Sequence, residues 1–294
     1  MGRTPLLHLG LLVHASLAIS DFAAESLSVT MMQKIFTGSG WTTTSQMLFG
    51  IAVENWIRYA VLAGLAWLLA YVFFKKRWWR RKIIQRDPSK ADVRRELKWS
   101  LLTALIYGLV GTVTIILGKT FGWQLYRKIG LHGWPWFFVS IAIAIVVHDT
   151  WFYWTHRLMH HRRLFRWFHR VHHESTNPSP WAAYSFAPLE AAVQAGIFPL
   201  LVFTVPIHPL AFMLFMIWQI LFNVVGHTGY EYLPSWFMRS WLGKVLNTPT
   251  NHIQHHEKMR GNYGLYFNVW DRLMGTNHRD YEARFEAVTT RPRS

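Results

Sequence analysis

Three apolar runs in this 294-residue sequence approach or exceed the roughly 20 residues that a helix needs to cross a membrane. These runs, followed by the two arms of an apolar hairpin, cover residues 51–74, 99–118, 134–155, 190–205 and 210–226. Backbone polar groups inside lipid must be satisfied within the protein, and a helix does this within a single segment. The sequence therefore predicts an all-α, multi-span integral membrane protein.

Basic residues crowd beside the apolar runs and account for much of the net charge of +16. The heaviest block, KKRWWRRKIIQR at 75–86, is expected in the cytoplasm by the positive-inside rule, with its tryptophans at the membrane interface. Counting crossings from there places 156–173, His227 and 251–256 at the same cytoplasmic face. No nucleic-acid-binding motif accompanies the charge, so we expect no nucleic-acid partner. A bacterial inner membrane and an endoplasmic reticulum suit this topology equally.

The chain divides into four predicted parts. They are an N-terminal segment for which an interfacial helix is one interpretation (1–48), two transmembrane helices with a basic cytoplasmic connector (49–133), a catalytic domain (134–277) and a C-terminal tail (278–294). His8 and His14 interrupt the short apolar stretch at 1–20, and no clean cleavage site follows it. A signal peptide therefore stays an open alternative to an interfacial helix.

Histidines are concentrated in two stretches, 148–173 (HDTWFYWTHRLMHHRRLFRWFHRVHH) and 251–256 (NHIQHH), with His227 between them. Residues three and four apart share a helical face, so H-x-x-H-H spacing gathers three imidazoles, and neutral imidazole is the commonest metal ligand. The predicted ligands are His156, His160, His169, His172, His173, His227, His252, His255 and His256. This set is too large for one ion and suits two. Because the chain has no cysteine, its ligands are nitrogen or oxygen, and iron, zinc and copper are eligible.

Two further histidines, His148 and His161, are candidates for an additional ligand. Metal-bound imidazole usually donates its second N–H to a carboxylate or a carbonyl. Asp149, Glu174 and Glu257 adjoin the histidines in sequence and are predicted to accept such bonds. Ion pairs with neighbouring arginines are the alternative for each.

The motifs H-R-x-x-H-H (156–161), H-R-V-H-H-E (169–174) and N-H-x-x-H-H-E (251–257) resemble the histidine boxes of the fatty acid hydroxylase superfamily, often called the sterol desaturase family. The resemblance covers about 135–277 and includes PSPWAAYSFAPLE at 178–190 and GHTGYE at 226–231. It implies a membrane-bound, non-haem di-iron oxygenase that hydroxylates or desaturates a lipid, either fatty acyl, sterol or related. The nine histidines would be its ligands, at the cytosolic face.

The resemblance also implies two iron ions, O2 as co-substrate, and zinc as a replacement for iron in purified samples. No cytochrome b5-like domain is visible, so a separate cytochrome b5-, ferredoxin- or reductase-type donor would supply electrons. Ala187 and Asn223 stand where some relatives have a further histidine. Aromatic side chains near the boxes are expected to line a lipid pocket, and they are Trp151, Phe152, Trp181, Tyr184 and Phe186.

Two other functions remain open on the residues alone. An intramembrane zinc-dependent hydrolase is disfavoured because H-E-x-x-H fails twice, with Asn177 and Arg260 at the position of its second histidine. A non-enzymatic metal-binding membrane protein is the other alternative. The sequence leaves open which lipid is used, whether it is hydroxylated or desaturated, and the oligomeric state.

Overall fold

The computed structural model describes residues 43–292, and the predicted N-terminal segment lies outside them up to residue 42. In chain order the α-helices are α1 Thr44–Trp67, α2 Lys75–Trp78, α3 Lys90–Phe121, α4 Gly133–Met159, α5 Phe165–Phe168, α6 Arg170–His173, α7 Pro188–Ala195, α8 Ile197–Thr204, α9 Pro209–His227, α10 Trp241–Val245, α11 Pro249–Lys258, α12 Val269–Leu273 and α13 Tyr281–Thr289. Within 43–292 the only β-type pairings are isolated bridges. The predicted all-α class is confirmed.

Four helices are long and apolar enough to cross a membrane: α1 with its π-helical extension Leu68–Phe73, α3, α4 and α9. The first two begin earlier than the apolar runs suggest because polar residues cap them. The Thr43 hydroxyl accepts the backbone N–H of Gln46 at 3.2 Å, and the Ser89 hydroxyl accepts that of Asp92 at 3.0 Å. The multi-span architecture predicted from the sequence is thus confirmed, with longer first and second helices.

Small residues bring α1 and α3 into close contact. A Cβ atom at Gly108 would lie 2.6 Å from the Leu48 carbonyl oxygen and 2.8 Å from Ala52 Cβ, so only glycine fits there. Large apolar side chains such as Val61, Leu109 and Phe138 are exposed on the outer faces of the helices. Such an apolar exterior suits a lipid environment.

The basic connector 75–86 packs beside the segment that follows His227. The Ile83 N–H donates to the Gly229 carbonyl at 2.9 Å, and the Arg81 side chain donates to the Leu233 carbonyl at 2.8 Å. The three histidine-bearing parts of the chain, 156–173, His227 and 251–256, therefore share one end of the bundle with the most basic connector. The assignment of this end to the cytoplasm stays a prediction.

The hairpin before His227 has unequal arms. Its first arm breaks at Gly196 into α7 and α8, and its second arm is the continuous α9. Gly196 packs against Trp151, because a Cβ there would lie 3.0 Å from the indole ring. The first arm runs from the histidine end to the opposite end of the bundle. There the N–H of Gln124, which follows the end of α3, donates to the Val202 carbonyl at 2.8 Å. The near end of this arm, at Pro188, starts beside the histidines.

Candidate metal centre

The four histidine-bearing segments meet at one end of the bundle. His156 and His160 end α4, the 169–173 box occupies the single-turn α6 and its cap, His227 ends α9, and the 252–256 box lies on α11. The nine histidines form a five-histidine group and a four-histidine group, and within each the potential ligand atoms lie within 4.8 Å of one another. The groups are His156, His160, His169, His173 and His255, and His172, His227, His252 and His256. The structure thus brings together all nine predicted ligands, in two sets.

Backbone carbonyls fix the orientation of most of these rings. A carbonyl oxygen only accepts hydrogen bonds, so the Nδ1 atom facing it carries the hydrogen and leaves a lone pair on Nε2. The Nδ1–O pairs are His156–Tyr263 (2.8 Å), His172–Ser185 (3.3 Å), His227–Asn223 (2.7 Å), His255–Gly261 (2.6 Å) and His256–Ser175 (3.0 Å). These contacts prepare the Nε2 atoms as acceptors or metal ligands.

The Nε2 atoms face one another at the centre of each group. The Nε2–Nε2 distances are 2.9 Å for His156–His169 and His173–His255, 3.0 Å for His227–His252, 3.2 Å for His227–His256 and His252–His256, and 3.3 Å for His172–His227. Lone pairs at this separation repel unless a cation or a proton lies between them. Within the described residues, the buried His160 Nε2 has no hydrogen-bond partner. Both groups therefore fit metal ions that prefer imidazole.

Burial keeps these imidazoles neutral. It lowers the pKa of His173 to about 3 and holds the pKa values of His172, His255 and His256 well below the usual histidine range, and neighbouring imidazoles add to the effect. A histidine binds a metal in its neutral form, so proton competition at pH 7 is weak.

The carboxylate that supports the site is Glu190, which sequence reasoning did not single out. His169 Nδ1 lies 2.6 Å from Glu190 Oε1, and both side chains are buried. Glu190 is brought to His169 by the first turn of α7, 21 residues further along the chain. The signal available in the sequence was the PLE element that ends the 178–190 motif.

The three carboxylates predicted to support histidines lie elsewhere. Asp149 accepts the backbone N–H groups of Tyr266 and Phe267 at 2.8 and 3.1 Å. Glu174 approaches Arg95 and Arg170 at 3.7 and 3.6 Å. Glu257 pairs with Arg284. Along 43–292, no ion pair joins any of the three to a histidine of the two groups, so the predicted supporting role is corrected to local ion pairing and backbone capping.

The two candidates for an additional ligand are outside both groups. His148 lies about two helical turns before His156, and its Nδ1 atom is 2.7 Å from the Tyr266 hydroxyl. His161 is exposed at the surface. Asn223 supports the site differently from a ligand, since its carbonyl accepts from His227 and its amide donates to the Ala183 carbonyl at 2.7 Å.

A cavity lies between α1, α3, α4 and α9 and is also lined by residues of α7 and α8. Phe152 and Phe186, two of the five aromatic residues expected at a lipid pocket, line this cavity. Their ring centroids lie 4.9 Å from His156 and 5.2 Å from His172, respectively. The other three residues expected at the pocket make different contacts. Trp181 and Tyr184 pack against Tyr59, and Trp151 Nε1 donates to the Val193 carbonyl at 3.2 Å.

Comparison with known proteins finds one matching family model and several similar proteins. Residues 141–276 match the family model described as fatty acid hydroxylase. A Delta(7)-sterol 5(6)-desaturase of Gibberella zeae is 28% identical over 222 residues, covering 74% of this chain and 64% of the relative. A second such desaturase, from Aspergillus fumigatus, is 30% identical over 63% of each protein. The lathosterol oxidase of Homo sapiens is 30% identical over 64% of this chain and 62% of its own length.

The alignments thus span slightly less than two thirds of these relatives. No solved structure matches the chain.

Proposed function

We propose that this chain, a member of the fatty acid hydroxylase superfamily in its sterol desaturase family, is a membrane-bound non-haem di-iron oxygenase acting on a lipid. The observation that carries the proposal is the pair of imidazole groups that converge beside an apolar cavity. The nine histidines are the proposed ligands, with five around one iron and four around the other. O2 and a separate cytochrome b5-, ferredoxin- or reductase-type donor are the proposed co-reactants.

An unactivated C–H bond has no group that acid–base chemistry can address, so the reaction needs a redox metal. When bound, two iron ions would supply that redox chemistry. Hydroxylation converts R–H, O2, two electrons and two protons into R–OH and water. Desaturation converts a CH–CH unit with the same co-reactants into C=C and two waters. Both outcomes balance with one external electron pair.

The chain's own residues orient the site and keep it apart from water. The carbonyls of Tyr263, Asn223 and Gly261 hold their imidazoles in the ligating tautomer. Phe152 and Phe186 line the end of the cavity that is nearest the histidines, and they pack against histidines of both groups. A lipid that enters along this wall meets the histidine end without passing through bulk solvent.

The relatives named above are sterol desaturases, which makes a Δ7 sterol the first substrate to assay, followed by fatty acyl lipids. The protein, loaded with iron in lipid nanodiscs and supplied with a reductant, is incubated with each lipid under 18O2. We expect a product that requires oxygen, carrying 18O if hydroxylated or two hydrogens fewer if desaturated.

The matched control is the double variant His172→Ala, His255→Ala, which removes one ligand from each group. It should fold and form no product. Iron-loaded wild type that forms no oxygen-dependent product from any lipid of the panel would overturn the proposed activity. The membrane, whether bacterial inner membrane or endoplasmic reticulum, and the cytoplasmic position of the histidines remain part of the proposal.

A further inference from the structure

The cavity contains an unexpected group of polar side chains within the membrane-spanning part of the bundle. Glu54, Asn55, Arg58, Gln194 and Gln219 all line it, among walls that are otherwise mostly aliphatic and aromatic. Polar groups in such surroundings are costly unless they are paired or serve a ligand. We name these five residues the polar patch.

The charges of the patch neutralise each other. Arg58 lies near the midpoint of the long helix formed by α1 and its extension, and it forms an ion pair with Glu54 one turn away. Arg58 Nη2 also donates to Asn55 Oδ1 at 2.7 Å. A carboxylate ligand would add an uncompensated negative charge in a medium of low dielectric constant. The patch therefore favours a neutral ligand.

Two donors of the patch have no partner among residues 43–292. They are the buried Gln194 Nε2 and Arg58 Nε, whereas Gln219 Nε2 donates to the Tyr184 hydroxyl at 3.1 Å. Gln194 is only 6% exposed, so water reaches it poorly. A buried donor without a hydrogen bond is destabilising, because it has lost its water partner and gained none in the protein. An acceptor oxygen on a bound molecule would satisfy these donors.

The patch lies deeper in the bundle than the histidines. Gln219 precedes His227 by two turns of α9, which is about 12 Å along the axis. Gln194 lies one turn beyond Glu190, whose carboxylate contacts His169. A molecule held at the patch can therefore extend along Phe186 to the four-histidine group.

We propose that the polar patch binds the neutral oxygen, a hydroxyl or a carbonyl, of the lipid that occupies the cavity. This inference rests on the proposed function only in taking that lipid to be the substrate. The patch then sets how far the reacting carbon lies from the oxygen, so Gln194 and Arg58, whose Nε2 and Nε atoms have no partner among residues 43–292, determine specificity and position of oxidation.

The test compares the binding of an alcohol and of its parent hydrocarbon, cholesterol with cholestane and 1-hexadecanol with hexadecane. Dissociation constants are measured for the full chain in one detergent and are expressed as the mole fraction of each lipid in the micelles, which removes the difference in partition between an alcohol and its hydrocarbon. For at least one pair, wild type should bind the alcohol about tenfold more tightly, as expected for a hydrogen bond to a buried donor. Hexadecanoate should bind no better than hexadecanol.

Gln194→Leu should reduce this preference severalfold and leave the affinity for the hydrocarbon unchanged. Gln219→Leu, which removes an amide that already donates to Tyr184, should reduce the preference less. Met216→Ala is the matched control, because Met216 lines the same cavity without a polar group, and it should change both affinities together. Equal binding of alcohol and hydrocarbon by wild type, or an unchanged preference in both glutamine variants, would overturn the inference. Binding is read without turnover, so a protein that prefers the alcohol but, when loaded with iron, forms no oxygen-dependent product would refute the oxygenase proposal alone.

Discussion

The two histidine groups differ in the number of imidazoles and in what supports them. The five-histidine group includes His169, whose ring contacts the buried carboxylate of Glu190 at 2.6 Å. In the four-histidine group, the Nδ1 atoms of His172, His227 and His256 face backbone carbonyls, those of Ser185, Asn223 and Ser175 respectively. A carboxylate raises the basicity of the imidazole it contacts and strengthens metal binding. The five-histidine group should therefore hold its metal more tightly, and the four-histidine group should keep more coordination positions open.

The spaces beside the histidines also bear on the difference between the two groups. Phe186 lies on the cavity wall and contacts His172, and Asn223 lies on the same wall and supports His227. A second space bounded by Phe222, Leu233 and Pro249 includes His252 in its lining. The first cavity also adjoins the five-histidine group, because Phe152 on its wall contacts His156. It is therefore the second space, lined by His252, that distinguishes the four-histidine group.

The largest expected effect comes from two neighbouring residues that belong to different groups. His256→Ala leaves three imidazoles in the four-histidine group, whereas His255→Ala leaves four in the other. We expect His256→Ala to lose one metal ion per chain, and His255→Ala to retain both with weaker binding. Metal analysis after gel filtration separates the two. An identical loss in both variants would mean that the nine histidines act as one site.

Glu190→Gln tests the support of the five-histidine group directly. The amide keeps an oxygen that can accept from His169 Nδ1 but removes the negative charge. Loss of such an outer partner typically weakens metal binding by about 10–100-fold. Competition with a chelator should show this weakening for one ion only. If both ions weaken alike, Glu190 acts on the whole cluster.

Acid should destabilise the metal-free protein. Burial keeps the folded-state pKa values of His172, His255 and His256 below the unfolded value of about 6.5. In the metal-free protein the unfolded state then binds more protons below pH 6.5, so stability should fall as the pH drops through that value. Unfolding midpoints at pH 7.5, 6.5 and 5.5 should decrease.

In the iron-loaded protein, iron per chain should fall in two steps as the pH drops, with the four-histidine group first. Glu190→Gln should bring the steps together. A midpoint that stays constant from pH 7.5 to 5.5 in the metal-free protein would contradict the burial of neutral histidines.

The smallest effects are expected at the two carboxylates that adjoin histidines only in sequence. Glu174 and Glu257 form partly exposed ion pairs with arginines, and such pairs contribute about 0–1 kcal/mol to stability. Glu174→Gln and Glu257→Gln should leave metal content unchanged and move the unfolding midpoint little. A loss of metal in either variant would restore the supporting role that its sequence position suggested.

These carboxylates show where sequence reasoning stops. Adjacent residues on a helix point about 100° apart, so a position next to a histidine in sequence does not bring a carboxylate to the Nδ1 atom of that histidine. Glu190 reaches His169 only because α7 folds back to the histidine end. The supporting carbonyls were equally hidden, since every residue has one and only the fold selects Tyr263 or Gly261.

The features that repeat in the sequence were predictable. Apolar length indicated the spans, and i, i+3 and i, i+4 spacing indicated which histidines share a face. Counting crossings placed all histidine groups at one end, where the contacts of Ile83 with Gly229 also place the basic connector. Arg58 was harder to interpret, because the capping by Thr43 extends α1 and moves this residue from the start of a span to its middle.

The most direct test of two metal sites is the iron content of the detergent-purified wild-type chain, produced in iron-rich medium. Two irons per chain, falling to one or fewer in the His172→Ala, His255→Ala double variant, is the predicted result. Well-folded wild type without metal would contradict the site. A single zinc that iron never displaces would contradict the di-iron centre and favour a zinc-dependent hydrolase.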